Sequence, residues 1–477
     1  MTEKVLLICV VAVPVVGSLL LPVLGRISRA LRGTAALLMA LVPLGILAYL
    51  LPRAYAGRPA HFNIELPLGL SFGFLADGLA VFMAMVSSFL GAVILIYSYG
   101  YIKNAENQQE YYLMVTLFIG AMMGITLTTN LIFLYIFWEI SAVCCWRLIG
   151  FFREKETVRR ANKAFLITGA GAFVMLAGFL VIYQQYGTTD LTRLAGKPVS
   201  DLAVALILFG ILSKSATLPL HSWIADAGVA PTPATALLHA AVLVKIGLYA
   251  YARLFVVNFE ISNLWHTVVP VAAAVSAILS AGAALAENDL KRVIAYSTVS
   301  QIGFIFFGLS VGGEVALTGA LLYILMHAVS KAGLFLCAGI VEHSCHTKDI
   351  RQLGGLYKTM PKTAISFFIC AFSVIGVPPL GGFFSKYLVI AGGIEAGNPL
   401  ITAVFIVGAV MTALYLLRVF VKVFLGTPRM EHAPAEGSPG MVFSVALLAV
   451  LSVVSGLAVS VPAAFVEEIV RQMAVKI

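Results

Sequence analysis

A chain of 477 residues that is 61% hydrophobic and only 11% charged does not read as a soluble globular protein, which carries about 25% charged residues. So much apolar surface calls for a bilayer, and the length accommodates a dozen or more crossings of about 20 residues each. The net charge of +9 falls mostly at the ends of apolar runs, where Lys and Arg orient a membrane protein. With no basic patch interleaved with aromatics and no zinc-finger spacing, it does not point to nucleic acid.

The apolar runs predict about fourteen spans, near 5–24, 33–51, 78–101, 111–128, 131–152, 162–185, 201–225, 233–257, 266–286, 289–311, 315–341, 363–392, 401–425 and 441–463. The longest connections are near 52–77, 187–199, 342–361 and 426–440. The first run has Lys4 before it and Arg26, Arg29 and Arg32 after it, the reverse of a secretory signal, so it is expected to stay as a span. Loops 1–2, 3–4, 5–6, 9–10, 11–12 and 13–14 hold about 17 Lys and Arg against about 8 in the remaining loops and the termini. Those loops should face inward and both termini outward.

Two spans are interrupted. In ILFGILSKSATLPLHSWIAD (207–226), Pro219 removes a backbone donor and clashes with the preceding turn. In GVPPLGGFF (376–384), Pro378, Pro379, Gly381 and Gly382 do the same. Broken backbone at membrane depth survives only where protein or a water-filled cavity satisfies the freed groups, and transporters place such half-helices at ion sites in corresponding positions of two repeats. The breaks lie five spans apart, and this odd offset implies two five-span units of opposite orientation. Little residue-level similarity joins the units, so the inference rests on layout. The chain reads as one transmembrane domain over 1–477: three N-terminal helices in 1–110, repeat one in 111–257, repeat two in 258–425, and a last helix with the C-terminus in 426–477.

An ionisable side chain at the bilayer centre costs about 2.5–3.5 kcal/mol on insertion scales, so each needs a reason. Glu139 lies mid-span in LYIFWEISAVCC (134–145) with no basic residue within a helical turn. Lys214 is deep in the seventh span, and a nearby carboxylate would restore the charge that burial removes. Glu139 is the expected partner. Thr232-Pro233 caps the eighth span, which carries His239 and Lys245 six residues apart, on different faces. His327 and Lys331 are four apart and share a face. Two cations together make no static salt bridge but suit a relay in which few sites are protonated at once. Lys386 follows the second break. Arg147, five residues before its run ends, either snorkels to the interface or serves the same path. Asp289, Lys291 and Arg292, with Glu287, open the tenth span near the inner surface, where a solvated helix end accounts for them.

The cysteines Cys9, Cys144, Cys145, Cys337, Cys345 and Cys370 form no CxxC pair and read as small apolar residues. The cluster of His343, Cys345 and His346 has no second cluster to complete a four-ligand metal site, so no metal is expected. No dinucleotide-binding GxGxxG, iron–sulfur run or haem motif occurs, so no cofactor and no redox chemistry are expected in this chain.

Together, FWEISAVCCWRLIGF, KSATLPLHSWIADAGVAPTPATALLHAAVLVK, DLKRVIAYSTVSQIGF, LMHAVSKAGLFL and GVPPLGGFFSK resemble the antiporter-like membrane subunits of respiratory complex I, membrane-bound hydrogenases and Mrp-type cation/proton antiporters. The resemblance covers nearly the whole chain. It implies an all-α polytopic fold of fourteen helices with an inverted pair of five-helix repeats (spans 4–8 and 9–13) and broken helices 7 and 12. It also implies that Glu139, Lys214, His239, Lys245, His327, Lys331 and Lys386 occupy the family's charged positions on helices 5, 7, 8, 8, 11, 11 and 12. The chain departs from the terminal complex I subunit at Gly169 and Ala172, where that subunit has arginine and aspartate, and its long lateral helix is not expected after the fourteenth span.

The expectation is a multi-pass subunit of the inner (cytoplasmic) membrane. It would move protons through a midplane relay, driven by other membrane and peripheral subunits of a redox complex of complex I or hydrogenase type. The alternative is a Na+/H+ exchanger subunit of Mrp type without electron transfer. A non-conducting scaffold would have no use for the buried lysines.

Overall fold

The computed structural model describes residues 3–67, 70–429 and 434–474. The chain ends and parts of the predicted connections at 52–77 and 426–440 lie outside the described residues. Helix α1 (Glu3–Ser18) bends by 54° into α2 (Leu21–Ile27), where Pro22 supplies no N–H to continue the ladder. After α3 (Arg29–Tyr55), an antiparallel hairpin of β1 (Ala60–Glu65) and β2 (Ser71–Ala76) fills a stretch that the sequence marked only as a connection.

There follow α4 (Gly78–Tyr101), α5 (Gln108–Leu127), α6 (Leu131–Ile149) and α7 (Lys155–Tyr186). The seventh segment is broken into α8 (Asp201–Lys214) and α9 (Ser222–Asp226). The eighth is α10 (Thr232–Ala236) and α11 (Leu243–Tyr251), with π-helical stretches at Leu237–Ala241 and Ala252–Asn258. Then come α12 (Trp265–Ala286), α13 (Leu290–Val311) and α14 (Glu314–Cys345). The second broken segment is α15 (Pro361–Ile375) with α16 (Gly381–Glu395), before α17 (Pro399–Phe424), α18 (Pro439–Leu457) and α19 (Ser460–Ala474).

Among the described residues, eleven helices are long and apolar enough to cross a membrane, or twelve if α1 and α2 form one span. The protein is therefore a multi-pass membrane protein. The expected count of fourteen is not established by length and composition, because each half of the two broken segments is too short to qualify alone. The last predicted span, 441–463, stops earlier, at Leu457, with Pro462 in the first turn of α19.

Two stretches of the chain repeat the same succession of elements at a constant spacing of 159 residues. Helices α7 and α14 are both 32 residues long, and each ends on a left-handed residue, Gly187 (φ 67°) and His346 (φ 53°). Glycine tolerates that conformation and histidine less easily. Asn130 caps α6 and Asp289 caps α13 through side-chain oxygens. The start of each capped helix is pinned to the loop after the next one. Leu131 N donates to Thr189 O (3.0 Å) and Leu191 N to Thr129 O (2.8 Å); Leu290 N donates to Lys348 O (2.8 Å) and Ile350 N to Asn288 O (3.0 Å). The register runs on through Pro219 and Pro378 to the first residues of α9 and α16, Ser222 and Gly381. It brings out a local likeness hidden from a linear reading, Thr188-Thr189-Asp190-Leu191 against Thr347-Lys348-Asp349-Ile350. In the second loop the Arg351 guanidinium holds the Asp349 carboxyl down at about 2.

Both breaks leave helix-end carbonyls inside the protein, and at both some of these find donors there. In the first, Trp223 Nε1 donates to Ser213 O (3.0 Å), and Leu218 N finds Ser276 Oγ (3.2 Å). In the second, Lys386 Nζ donates to Val374 O (2.8 Å) and Ile375 O (3.4 Å). Gly382 is required there, since a Cβ on it would lie 1.9 Å from Ser373 O. The Leu218–Pro219 and Pro378–Pro379 peptide bonds are cis.

Candidate functional site

Four of the candidate relay residues, His239, Lys245, His327 and Lys331, lie on two of the most enclosed segments. In the apolar 18-residue stretches of Thr232–Asn258, Leu290–Val311 and Glu314–Cys345, 94% of the residues are buried, against 39% in that of α7 and 33% in that of α17. Lys245, His327, Lys331, His239 and Lys214 are wholly inaccessible, and Lys386 nearly so. Their partners are neutral. Lys245 Nζ lies 2.7 Å from His327 Nδ1. At that separation one nitrogen must present a lone pair to the other's proton, so the two groups cannot both be protonated at the contact. Lys245 also approaches the carbonyl of His239 (3.5 Å), on the π-helical turn. The His239 imidazole packs on Phe335 (4.6 Å between centroids), and neither ring nitrogen has a hydrogen-bond partner among the described residues.

Lys331 feeds a network that the sequence reading missed. Its ammonium donates to Ser297 Oγ (2.6 Å), which also accepts the Tyr415 hydroxyl (2.9 Å). Gln301 Nε2 donates to Tyr415 Oη (3.3 Å) and Thr412 Oγ1 (3.2 Å), and its carbonyl oxygen accepts from Tyr323 Oη (2.6 Å). The Tyr323 ring stands 5.9 Å from the His327 ring, and Lys386 Nζ sits 5.6 Å from the Tyr323 centroid and 4.6 Å from that of Phe304, within cation–π range. The signal for the network was present in AYSTVSQIG: Ser297 and Gln301 are four apart and share a face of α13.

The expected salt bridge between Glu139 and Lys214 is not made. Lys214 Nζ instead donates to the carbonyl of Trp138 (3.1 Å), whose ring it also faces at 5.3 Å. One residue is about 100° of helix rotation, so Trp138 turns inward while half-buried Glu139 falls on a stripe with Ile136 and Val143, 43% and 42% exposed. Its Oε1 atom is buried without a hydrogen-bond partner among the described residues.

The secondary charges are all paired. Arg147 does not snorkel alone; it forms an ion pair with Glu110, which also binds Arg153 (2.7 Å). Asp289 binds Lys348 (3.1 Å), and Arg292 bridges Glu287 (2.8 Å) and Asp226 (3.2 Å). Lys291 corrects the reading of a solvated helix end. It is 2% exposed, with Nζ 2.6 Å from Glu342 Oε2 and near the carbonyls of Gly228 and Ala230. The turn joining α9 to α10 folds over it. A further buried pair, Arg253 with Asp77 (both bonds 2.7 Å), closes the other end of the eighth segment beside Tyr249. His343 lies against Tyr101 (5.5 Å), and Cys345 is buried. All six cysteines are free thiols.

The sequence pattern of the family described as "NADH:quinone oxidoreductase/Mrp antiporter, TM" matches residues 128–412, and that of "NADH-Ubiquinone oxidoreductase (complex I), chain 5 N-terminus" matches residues 64–112. The chain belongs to this family of antiporter-like membrane subunits. Among its relatives are "Na(+)/H(+) antiporter subunit A1" of Staphylococcus saprophyticus, 34% identical over 82% of this chain and 52% of that protein, and the subunit of the same name from Staphylococcus aureus, 32% identical over 94% and 60%. The chain thus spans only about half to three fifths of those subunits. The fold is that of a chain in the Mrp complex from Dietzia sp. DQ12-45-1b (TM-score 0.90, 24% identity, covering 99% of this chain and 98% of that one). It is also that of a chain in the membrane-bound sulfane sulfur reductase, an archaeal respiratory complex (TM-score 0.91, 24% identity, the same coverage).

Proposed function

We propose that this chain is a proton-translocating, antiporter-like subunit of a multisubunit membrane complex. The observation that carries the reading is the 2.7 Å contact between Lys245 and His327. Two buried bases sharing a proton serve no purpose as a salt bridge but do serve as a link through which a proton is passed. His239 and Lys331 extend the link along the midplane with water between the groups. Lys214 with Glu139 forms the station in repeat one, and Lys386 the station at the second break. The two repeats, at 111–257 and 258–425, face opposite sides of the inner (cytoplasmic) membrane, with both termini outside. Glu139, on a stripe this chain leaves uncovered, exchanges protons with a neighbouring subunit, and the driving change comes from partner subunits.

Those partners are either redox subunits of complex I or hydrogenase type, or the other subunits of an Mrp-type Na+/H+ antiporter. The Staphylococcus relatives favour the second setting. In either, the nitrogen-rich midplane suits protons, because hard metal cations take oxygen ligands. The test is ion flux in vesicles holding the assembled complex. Lys214→Ala and His327→Gln should each cut proton flux while the complex stays assembled, and undiminished flux would end the reading. Flux driven by a sodium gradient without any redox substrate selects the Mrp setting.

A further inference from the structure

Glu342 lies three turns beyond Lys331 on α14, where its side chain is 26% exposed. One oxygen, Oε2, takes three donors from three other elements: Lys291 Nζ (2.6 Å, α13), Thr232 Oγ1 (2.9 Å, α10) and Tyr101 Oη (3.4 Å, α4). The other oxygen takes none among the described residues, on a side chain that is partly open to solvent. The site is built closely. A Cβ on Gly339, one turn before Glu342, would lie 2.5 Å from Thr232 Cγ2 and 2.6 Å from Tyr97 Oη, so only glycine lets the threonine reach the carboxylate. Thr232 begins the segment that carries His239 two turns further, about 10 Å along the helix axis. His239 is sealed from solvent with both ring nitrogens unpartnered, a costly arrangement unless something transient meets them. It lies close enough to Lys291, Lys245 and Lys331 for their charges to act on it.

We propose that Glu342 is the group through which protons enter the midplane relay from its own side of the membrane, with Lys291 as its positioning partner; this rests on the proton-relay reading above. A proton from the aqueous phase adds to Glu342 Oε1. The neutral acid loosens Lys291, whose ammonium keeps the carbonyls of Gly228 and Ala230 as acceptors. The acid then gives up one proton through water to a free ring nitrogen of His239, the carboxylate re-forms, and Lys291 pairs with it again. One proton enters, one moves on, and no other species is consumed.

The experiment uses the assembled complex in vesicles, with proton flux and the amount of subunit in the purified complex as readouts. Glu342→Gln keeps an oxygen for Thr232 and Tyr101 but cannot hold a charge, and it leaves Lys291 buried without its counter-ion. The double variant Glu342→Gln/Lys291→Met removes both charges together and so avoids the penalty of one unpaired buried ion. It is expected to assemble and to carry protons at least about tenfold more slowly, the scale of a lost acid–base group, while Glu342→Asp recovers part of the flux. If the double variant assembles and conducts within about twofold of the unaltered chain, the pair is only a structural tie and the proposal is overturned. Lys331→Ala in the same vesicles separates the two readings. If it abolishes flux while the double variant does not, only the entry role fails; if it too conducts normally, the relay itself fails and the entry role with it.

Discussion

At the break between α8 and α9 the freed carbonyl of Ser213 is taken by an indole N–H, from Trp223. At the break between α15 and α16 the freed carbonyls of Val374 and Ile375 are taken by the Lys386 ammonium itself. The same backbone defect is thus satisfied by a neutral donor in one repeat and by a candidate proton carrier in the other. Lys214 is left free of that duty and held by one carbonyl, Trp138 O. It is buried against the Trp138 ring, one residue before Glu139 on the half-covered stripe, whereas Lys386 is locked beneath Phe304 and Tyr323 at the edge of a dense hydrogen-bond network. The comparison separates a station that changes charge at little structural cost from one whose charge is also part of the fold.

The largest effect should come from Lys386→Met. It strips the cap from two buried carbonyls, each worth about 1–3 kcal/mol when left unsatisfied. The purified complex should lose thermal stability as well as proton flux, and Lys386→Arg should restore the stability. Trp223→Phe removes one of two donors from a single carbonyl, since Ala216 N (3.4 Å) still reaches Ser213 O, so a loss of about 1 kcal/mol is expected in the same thermal assay, with flux reduced less. Equal losses from the two variants would erase the distinction between the breaks. Tyr415→Phe removes one hydroxyl from Ser297 and should cost about 1 kcal/mol; flux should fall several-fold because the Lys331 network is cut. Glu139→Gln should be the mildest for stability, since Oε1 of this carboxylate has no partner here, yet it should slow flux clearly. A variant that unfolds would show Glu139 to be a structural group.

Much of this was legible in the chain. A proline or glycine inside an apolar run cannot be hidden, so both breaks stood out, and a lysine in lipid-depth sequence announces itself by its cost. The neutral members of the site did not. Ser297, Gln301, Thr412, Tyr323 and Tyr415 are cheap enough within a membrane to pass for ordinary packing, and only the meeting of α13, α14 and α17 makes them one network. The Glu139–Lys214 salt bridge was over-read because a single helical position carries the carboxylate around to the outer face. Lys291 was under-read because a charge near the end of a run looks solvated until the α9–α10 turn is seen to cover it. The 159-residue register escaped notice because it is kept by caps and loop bridges, at Asn130 and Asp289 and at Asp190 and Asp349, whose geometry constrains only a few side chains.

The most direct test of the central claim is proton flux through vesicles containing the assembled complex with His327→Gln. Glutamine keeps a polar group against Lys245 but cannot accept and release a proton. The account predicts an intact complex whose flux falls at least about tenfold, as when an acid–base group is removed. An intact complex with unchanged flux would contradict it.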